Sequence, residues 1–482
     1  MKKTTLIIAT ALIAACALPL SACKKGESLD SDKYAICATY DEEEEKLNGT
    51  CTFTYHNRTD NELDSLCFNL WGNAYRQDAK NKPAASGDNK AYYCGVNYGG
   101  ESVESVEGCA SWEVCGDDEN ILKVALSEPL YPEQSTTVTI SYTLDLAKIN
   151  HRTGVTKESV NLGNFYPILC AYSKEGFIQT PYYSTGDPFV SACADYDVTL
   201  KLPLGYTAAT SGKEVERKEE KDGVTTRYTL ENARDFAAVL SKDFKTLTQN
   251  FNGCAVTVYY CGERQPQKEL NATVESLEYF SSLFGNYAYP TLSVVFTPLN
   301  SSGMEYPALT MINSALNEEN AVYTAVHETA HQWWYAMVGS NQVTCAWQDE
   351  GLAEYSTLAF FETHPAYGFT RTGILGSAIK SYRAYYSVYN QIFGKSDTTM
   401  TRAINEYEGE YEYINIVYNK SLLMFESVRT AMGDKKFFSA LANYFKDNCF
   451  SLAAPEDLIA KFDELYDVEG LIDGYLNGKV VI

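Results

Sequence analysis

The hydrophobic pattern changes near residue 250, and this change restricts the possible folds more than any other feature of the sequence. Up to about Lys245, short runs of strand-forming residues are separated by turn residues such as Asn48-Gly49. After Asn250, apolar residues recur every three to four positions over long stretches, which is typical of helices. We therefore expect an α+β multidomain protein, with an N-terminal antiparallel β domain at residues 34–247 and a mainly helical domain at residues 248–482.

The same patterns predict the individual elements. The β domain is expected to contain strands at residues 51–56, 66–70, 136–144, 196–202 and 225–230. The second domain is expected to contain strands at residues 255–260 and 292–296, and helices at residues 268–284, 320–338, 351–363, 418–432, 435–445 and 455–466.

The start of the chain differs in character from everything that follows. Lys2 and Lys3 precede an apolar stretch from Leu6 to Leu20, a pattern that is typical of a secretory leader. The stretch is too short and too early for a lasting transmembrane helix, and no later segment approaches about eighteen consecutive apolar residues. The sequence therefore indicates an exported protein.

The end of the leader, Leu20-Ser21-Ala22-Cys23, resembles the lipobox of bacterial lipoproteins, in which the leader is cut before the cysteine and the sulfur is acylated. Cys16 also follows small residues, but a cut there would leave a very short apolar core. We therefore predict a signal peptide at residues 1–22, lipid attachment at Cys23 and a polar spacer at residues 23–33. The protein is then expected on the bacterial cell membrane, facing outside the cytoplasm.

The charge of the chain argues against one class of partner. The formal net charge is -24 at pH 7, and no basic stripe interrupts it. Such a charge repels a phosphate backbone, so we expect no binding to nucleic acid.

The cysteines indicate an oxidising environment. Cys16 and Cys23 belong to the leader region, and the even number that remains of the 14 cysteines predicts disulfide bonds in an exported protein. Cys254 and Cys261 flank a predicted strand, which separates them by roughly 23 Å and excludes a bond between them. Cys109 and Cys115, in a predicted loop, are the easiest pair to join, and the remaining pairing stays open.

A motif in the second domain predicts a metal site. His327, Glu328 and His331 form the pattern H-E-x-x-H. In a helix, positions four apart lie on the same face, so both imidazoles can bind one ion. An apolar stripe from Val322 to Met337, spaced by three and four residues, independently predicts a helix. With 5 histidines in the chain, the chance of this pattern arising by accident is on the order of one in several hundred.

A third ligand is expected because catalytic zinc takes three protein ligands and keeps a fourth position open for water. After a turn at residues 339–341, a second helix could return the carboxylate of Glu350 to the ion. We therefore predict one zinc ion per chain, bound by His327, His331 and Glu350. The alternative is that the two histidines only satisfy hydrogen bonds in the core.

These residues resemble the zinc aminopeptidases of the gluzincin clan, the group of aminopeptidase N and leukotriene hydrolase. The pattern of that family is H-E-x-x-H, eighteen further residues and then E, and residues 332–349 supply that interval here. Gly303-Met304-Glu305-Tyr306 resembles a shortened G-x-M-E-N strand of the family, and Tyr418-Asn419-Lys420-Ser421 resembles its Y-x-K-G element. The resemblance extends from about Tyr34 to the C-terminus and is weakest in the β domain.

The resemblance implies a thermolysin-like fold for the second domain and a role for each motif residue. Glu328 would act as the general base, and Tyr418 would stabilise the oxyanion. Glu305, with Gly303 and Met304 in the same substrate-binding strand, would bind the free α-ammonium group of a peptide. Glu354, one turn after Glu350, would either support the metal ligands or lie in solvent.

Three departures from the family pattern qualify this expectation. Tyr306 replaces an asparagine, and Ser421 replaces a glycine. Because only residues 351–482 follow the third ligand, we also expect a short bacterial lipoprotein form without the large C-terminal helical domain and with a more open cleft.

The predicted function is removal of N-terminal residues from peptides with a free N-terminus. A zinc endopeptidase with an open cleft is the nearest alternative, and a catalytically silent surface-binding protein is a further one. A leukotriene-type epoxide hydrolase is disfavoured, because no lipid pocket is indicated. The sequence predicts no particular oligomeric state.

Overall fold

The computed structural model describes residues 31–480. The predicted signal peptide at residues 1–22 and the acylated Cys23 lie outside the described residues, as does most of the predicted spacer. Within residues 31–480, no helix has both the length and the apolar character that a membrane crossing requires.

Strands β1 to β17 form the β-rich first part of the chain. In chain order they are β1 Lys33–Asp41, β2 Lys46–His56, β3 Leu63–Asn69, β4 Gly100–Glu107, β5 Ser111–Cys115, β6 Ile121–Leu130, β7 Ser135–Asp145, β8 Thr153–Val155, β9 Val160–Leu162, β10 Ile168–Leu169, β11 Tyr172–Ser173, β12 Gly176–Phe177, β13 Ala194–Leu202, β14 Thr207–Thr210, β15 Lys213–Glu220, β16 Gly223–Ala233 and β17 Ala238–Ser241. The largest sheet has the order β15-β16-β13-β1-β2-β7-β4, and two smaller sheets have the orders β10-β3-β6-β5 and β14-β17-β9-β8.

Strand β1 shows why these residues form a sheet. Its side chains alternate between buried and exposed, with Tyr34, Ile36 and Ala38 facing the core, as the two-residue period of a strand requires. The domain is antiparallel as expected, with the exception that β1 and β13 pair in parallel, Tyr34 lying opposite Tyr196. The parallel pair arises because the chain makes a long excursion after β1 and re-enters the sheet from the same end.

A further sheet begins the second part of the chain. Its strands are β18 Lys245–Phe251, β19 Cys254–Tyr260, β20 Thr291–Thr297, β21 Gly303–Met304 and β22 Leu309–Asn313, in the order β18-β19-β20-β22-β21. The predicted domain boundary at residues 247/248 falls within strand β18, and the division into two domains stays a prediction. Strand β21 lies at the edge of the sheet, so its outer side is free to face a substrate.

Helices dominate the remainder, which confirms the predicted order of a β-rich part followed by a helical one. They are α1 Gln267–Leu283, α2 Glu318–Ala330, α3 Gln342–Thr363, α4 Arg371–Phe393, α5 Glu410–Tyr413, α6 Ser421–Met432, α7 Asp434–Asn448, α8 Pro455–Asp463 and α9 Glu469–Leu476. A π-helical segment, Ile414–Lys420, joins α5 to α6. The sequence pattern did not predict α4, α5 or α9.

Helix α2 ends earlier than predicted. The expected helix at residues 320–338 stops as an α-helix at Ala330, and wider turns follow, in which Val338 N donates to Trp333 O at 2.9 Å. Adjacent side chains of a regular helix point about 100° apart, whereas Trp333 and Trp334 are both fully buried here. The wider turns let both indoles enter the core.

Cys109 and Cys115, the pair judged easiest to join, do not form a disulfide. Both are free thiols, as are Cys254 and Cys261. Cys115 ends the extended strand β5, which carries it away from Cys109 in the turn before that strand.

Candidate metal centre and cleft

Helix α2 places both motif histidines at its C-terminal end. The side chain of Asn317 caps the start of the helix by accepting a hydrogen bond from Asn320 N. His327 lies in the last turn, and His331 is the C-terminal cap residue. Because the two residues are one turn apart, their Nε2 atoms approach to 3.1 Å.

Helix α3 brings the third predicted ligand to the same point. Glu350 Oε2 lies 3.3 Å from His327 Nε2 and 3.2 Å from His331 Nε2. One ligand atom from each of the three residues lies within 4.8 Å of the others, and all three side chains are buried. Two imidazole nitrogens and one carboxylate oxygen are a donor set that suits catalytic zinc, so the residues present fit the predicted ion.

The outer nitrogen of each histidine contacts a carboxylate. His331 Nδ1 lies 2.9 Å from Asp349 Oδ1, and His327 Nδ1 lies 3.1 Å from Glu354 Oε2. Such contacts fix the ring orientation of metal-binding histidines. Glu354 therefore contacts a predicted ligand and is not a solvated carboxylate. Asp349 was not predicted, although it directly precedes Glu350.

The electrostatics of the cluster reflect this density of carboxylates. Burial alone lowers the pKa of His327, but Glu350 and Glu354 outweigh burial and raise it to about 10. Burial likewise raises the pKa of Glu350, but His331 and His327 outweigh it, so the net shift is well below the ordinary value. Glu350 is therefore held in its negatively charged form beside the two histidines. A divalent cation bound between the three side chains would neutralise the same carboxylate charge.

Glu328 lies beside the ligands without joining them. Its Oε2 is buried and has no hydrogen-bond partner among the described residues. Strand β21 packs closely on it, because a Cβ atom at Gly303 would lie 2.2 Å from Glu328 Oε1. Burial raises the pKa of Glu328 to about 7, and the charge of Glu350 contributes to this increase. A carboxyl group with this pKa exchanges protons near neutral pH.

The predicted substrate-binding residues lie on the other side of the same cluster. Glu305 follows β21, is 4% exposed, and accepts one long hydrogen bond, from Gln342 Nε2 at 3.4 Å. Burial raises the pKa of Glu305 well above its ordinary value, and the charge of Asp187 adds to the increase. Met304 is buried in the core. Gly303, in β21, and Glu305, directly after it, are the residues of this segment that lie beside the cluster.

Tyr418 reaches the centre from the π-helical segment. Its ring stacks on His327 with a centroid distance of 5.9 Å and packs edge-on against Tyr413, also at 5.9 Å. Burial raises the pKa of Tyr418 well above its ordinary value, and Glu350, with which its hydroxyl interacts, raises it further. The phenol therefore stays protonated and can donate a hydrogen bond.

The two departures from the family motif each have a structural counterpart. Ser421 packs against Gly351 of α3, where an added Cβ atom would lie 2.5 Å from the serine Cβ, so the close approach of the two helices requires a glycine at position 351. Tyr306 is fully buried, and its hydroxyl donates to Asn164 Oδ1 at 2.8 Å.

The β domain contributes a charge that the sequence pattern did not reveal. Asp187 forms an ion pair with Arg152, and the adjacent Gly186 packs so closely on Tyr413 that a Cβ atom there would lie 2.8 Å from the tyrosine oxygen. Asp187 also contributes to the raised pKa of Glu305. It belongs to an irregular segment between β12 and β13, where no motif marks it.

The structure thus gathers the predicted ligands, Glu328, Glu305, Gly303 and Tyr418 into one cluster. Their assigned roles remain predictions.

The chain has relatives among characterised sequences. The peptidase family M1 domain profile matches residues 268–475. Aminopeptidase M1-B of Oryza sativa subsp. japonica is 28% identical over 209 residues, which cover 40% of this chain and 23% of the rice protein. Aminopeptidase Q of Homo sapiens is 21% identical over 398 residues, which cover 74% of this chain and 38% of the human protein. The matches therefore span well under half the length of these relatives.

The fold is also shared with solved structures. An M1 zinc metallopeptidase from Deinococcus radiodurans superposes with a TM-score of 0.65 at 16% sequence identity, covering 94% of this chain and 95% of that chain. A mutant of an M1 zinc metallopeptidase from the same organism, bound to a Tyr-ser-ala substrate, also gives a TM-score of 0.65, at 17% identity. The likeness extends over the β-rich and helical parts together. The chain therefore carries a peptidase family M1 domain at residues 268–475, as the resemblance of its motifs predicted.

Proposed function

We propose that this chain is a zinc-dependent aminopeptidase that removes the N-terminal residue from peptides. The observation that carries the proposal is the convergence of His327, His331 and Glu350 on one point, with the carboxyl group of Glu328 beside them. Three protein ligands with an adjacent acid are what metal-assisted hydrolysis requires. The similarity to proteins named aminopeptidase supports the same reaction class.

The residues divide the chemical work. His327, His331 and Glu350 would hold the zinc ion, which when bound would supply Lewis-acid chemistry at the scissile carbonyl and the attacking water. Glu328 takes a proton from the water and passes it to the leaving amine, and its pKa of about 7 suits both transfers. Tyr418 donates a hydrogen bond to the oxygen on which negative charge develops.

Glu305 gives the reaction its proposed exopeptidase character. Among the described residues, its buried carboxylate accepts only one long hydrogen bond, so an ammonium group can serve as its main partner. Burial and the nearby charge of Asp187 raise the pKa of Glu305, and a cation at this carboxylate would offset both effects. A peptide bound through its free amine would then present its first peptide bond to Glu328.

Zinc dependence can be tested directly on the purified full chain. Bound zinc is measured by elemental analysis, and hydrolysis is measured on a panel of aminoacyl amides with different side chains. We expect about one zinc ion per chain, loss of hydrolysis with a chelator and recovery when zinc is added back. A protein that holds zinc and hydrolyses no amide or peptide would instead be a binding protein.

We propose further that the mature protein begins at an acylated Cys23 and lies on the outer face of the bacterial cell membrane. The lipobox-like end of the leader supports this location. Mass spectrometry of the mature N-terminus, with membrane fractionation, tests it. An unmodified protein that starts at another residue would contradict the proposal.

A further inference from the structure

Tyr306 connects the substrate-binding strand to the β domain. Its side chain is fully buried, and its hydroxyl donates a hydrogen bond to Asn164 Oδ1 at 2.8 Å. The approach depends on Gly163, because a Cβ atom at that position would lie 1.9 Å from the tyrosine oxygen. Asn164 has a φ of 52°, a left-handed conformation that asparagine tolerates better than most residues. The local backbone is therefore shaped to receive the tyrosine.

Asp235 fixes Asn164 in turn. Asn164 Nδ2 donates to Asp235 Oδ2 at 2.6 Å. Tyr166 Oη and Phe236 N donate to the other oxygen, Oδ1, at 2.8 and 2.6 Å. The carboxylate is fully buried with three donors, so its position and that of Asn164 are well determined. These contacts form a chain from the β-domain core to Tyr306.

The main chain of the same segment is attached to the zinc-binding helix region. Gln332, which follows His331, donates to Tyr306 O at 3.2 Å and accepts from Ala308 N at 2.8 Å. The carboxylate of Glu305 lacks comparable support, since its only hydrogen bond from the described residues is the long one from Gln342. The direction of Glu305 therefore depends mainly on the backbone that Tyr306 and Gln332 hold.

We propose that Tyr306, Asn164 and Asp235 form a positioning relay that aims the carboxylate of Glu305 at the α-ammonium group of the substrate. Glu305 and Tyr306 are consecutive residues directly after β21, so holding Tyr306 on the β domain restricts the directions open to the side chain of Glu305. Tyr306 is a positioning residue that touches no reacting atom. The proposal rests on the proposed aminopeptidase function, and it explains why a tyrosine stands where the family motif has asparagine.

The relay predicts a specific kinetic change in Tyr306→Phe. This variant keeps the ring in place and removes one hydrogen bond, leaving Asn164 Oδ1 without its donor. We expect KM for substrates with a free amine to rise about 5- to 10-fold while kcat and bound zinc change little. Asp235→Asn, which disturbs the relay at its far end, should raise KM in the same direction.

The matched control is Tyr142→Phe. Tyr142 is buried in the β domain, and its hydroxyl has no hydrogen-bond partner among the described residues. The substitution removes the same atom from a similar environment and should leave KM unchanged. A similar KM increase in both variants would indicate general loosening of the β domain and would overturn the relay.

The decisive experiment repeats Tyr306→Phe in a Glu305→Gln background. If Tyr306 acts through Glu305, the second substitution should change KM less than about twofold once the carboxylate charge is gone. An unchanged 5- to 10-fold effect in that background would overturn the relay, because Tyr306 would then act by another route. Failure of the aminopeptidase proposal would look different, since the wild-type protein itself would not favour a free over an acetylated amine.

Discussion

The two walls of the cleft hold their functional residues by different contacts. On the helical wall, α2 and α3 bring ionisable groups together, and Glu350 lies within 3.3 Å of both His327 and His331. On the β-domain wall, Tyr306 is held by a hydrogen bond to Asn164 at 2.8 Å. Asp187, whose charge contributes to the raised pKa of Glu305, is paired there with Arg152. Under the proposed function, the helical wall would supply the reacting groups and the β-domain wall would set the direction of Glu305. Substitutions on the helical wall should therefore have the larger effects.

The largest effect is expected for Glu328→Gln. The substitution removes the proton acceptor and spares all three predicted ligands, so kcat should fall about 100- to 10,000-fold while zinc stays bound. Parallel measurement of kcat and zinc content checks this, with His331→Ala as the comparison that should lose the metal. Near-normal turnover in Glu328→Gln would remove Glu328 from the mechanism.

Glu305→Gln should have the next largest effect. Removing the charge costs roughly 1.5–3 kcal/mol of ammonium binding, or about 10- to 150-fold in kcat/KM on substrates with a free amine. Cleavage of acetylated peptides, if any is detectable, should not fall in parallel. Equal losses on both kinds of substrate would show that Glu305 does not recognise the amine.

Asp349→Asn tests the outer contacts of the helical wall. Asp349 lies 2.9 Å from His331 Nδ1, and loss of its charge should weaken zinc binding about 10- to 100-fold. Competition with a chelating dye measures the affinity. The exposed Asp467, changed to Asn, is a control that should bind zinc as the wild type does. Unchanged affinity in Asp349→Asn would mean that His331 is oriented by other contacts.

The smallest effect on activity is expected for Glu101→Gln, far from the metal ligands in the β domain. Burial raises the pKa of Glu101 to about 8 and outweighs the opposing hydrogen bond from Gly72 N, the one donor to this carboxyl group among the described residues. In the unfolded chain the carboxyl group of Glu101 ionises near pH 4.5, whereas in the folded protein it stays protonated up to about pH 8. The free energy of unfolding therefore decreases as the pH rises from about 4.5 to 8. Glu101→Gln should remove this loss, stabilising the protein by about 1–3 kcal/mol at pH 7 and little at pH 4.

Denaturant unfolding at both pH values measures the change, with kcat as the check that the cleft is unaffected. If Glu101→Gln destabilised the protein equally at pH 4 and pH 7, the result would contradict this account. It would show that the carboxyl group of Glu101 stabilises the fold through hydrogen bonding at both pH values.

The predicted residues of the helical wall could be read from the sequence because they are close together along the chain. His327 and His331 are one helical turn apart, so their meeting depends on a single element. The fixed interval to Glu350 then follows from the family resemblance. The role of Asp349 was harder to foresee, since α3 has a kink at Cys345, with a φ of -139°, that no residue pattern announces.

The β-domain wall could not be predicted in the same way. Asn164 and Tyr306 are separated by 142 positions, and Asp187 comes from an irregular segment between short strands. Contacts of this kind depend on how the sheets pack. The periodicity of a single sequence indicates helices and strands but does not indicate which distant residues meet. The early end of α2 has a similar cause, because burial of both Trp333 and Trp334 overrides the helical pattern.

The most direct test of the account is product analysis on one peptide offered with a free and with an acetylated N-terminus. Mass spectrometry at early times identifies the first bond cut. If the helical wall performs hydrolysis and Glu305 fixes the amine, the free peptide should lose its residues one at a time from the N-terminus and the acetylated peptide should stay intact. Internal cleavage of both peptides at equal rates would contradict the account and identify the protein as an endopeptidase.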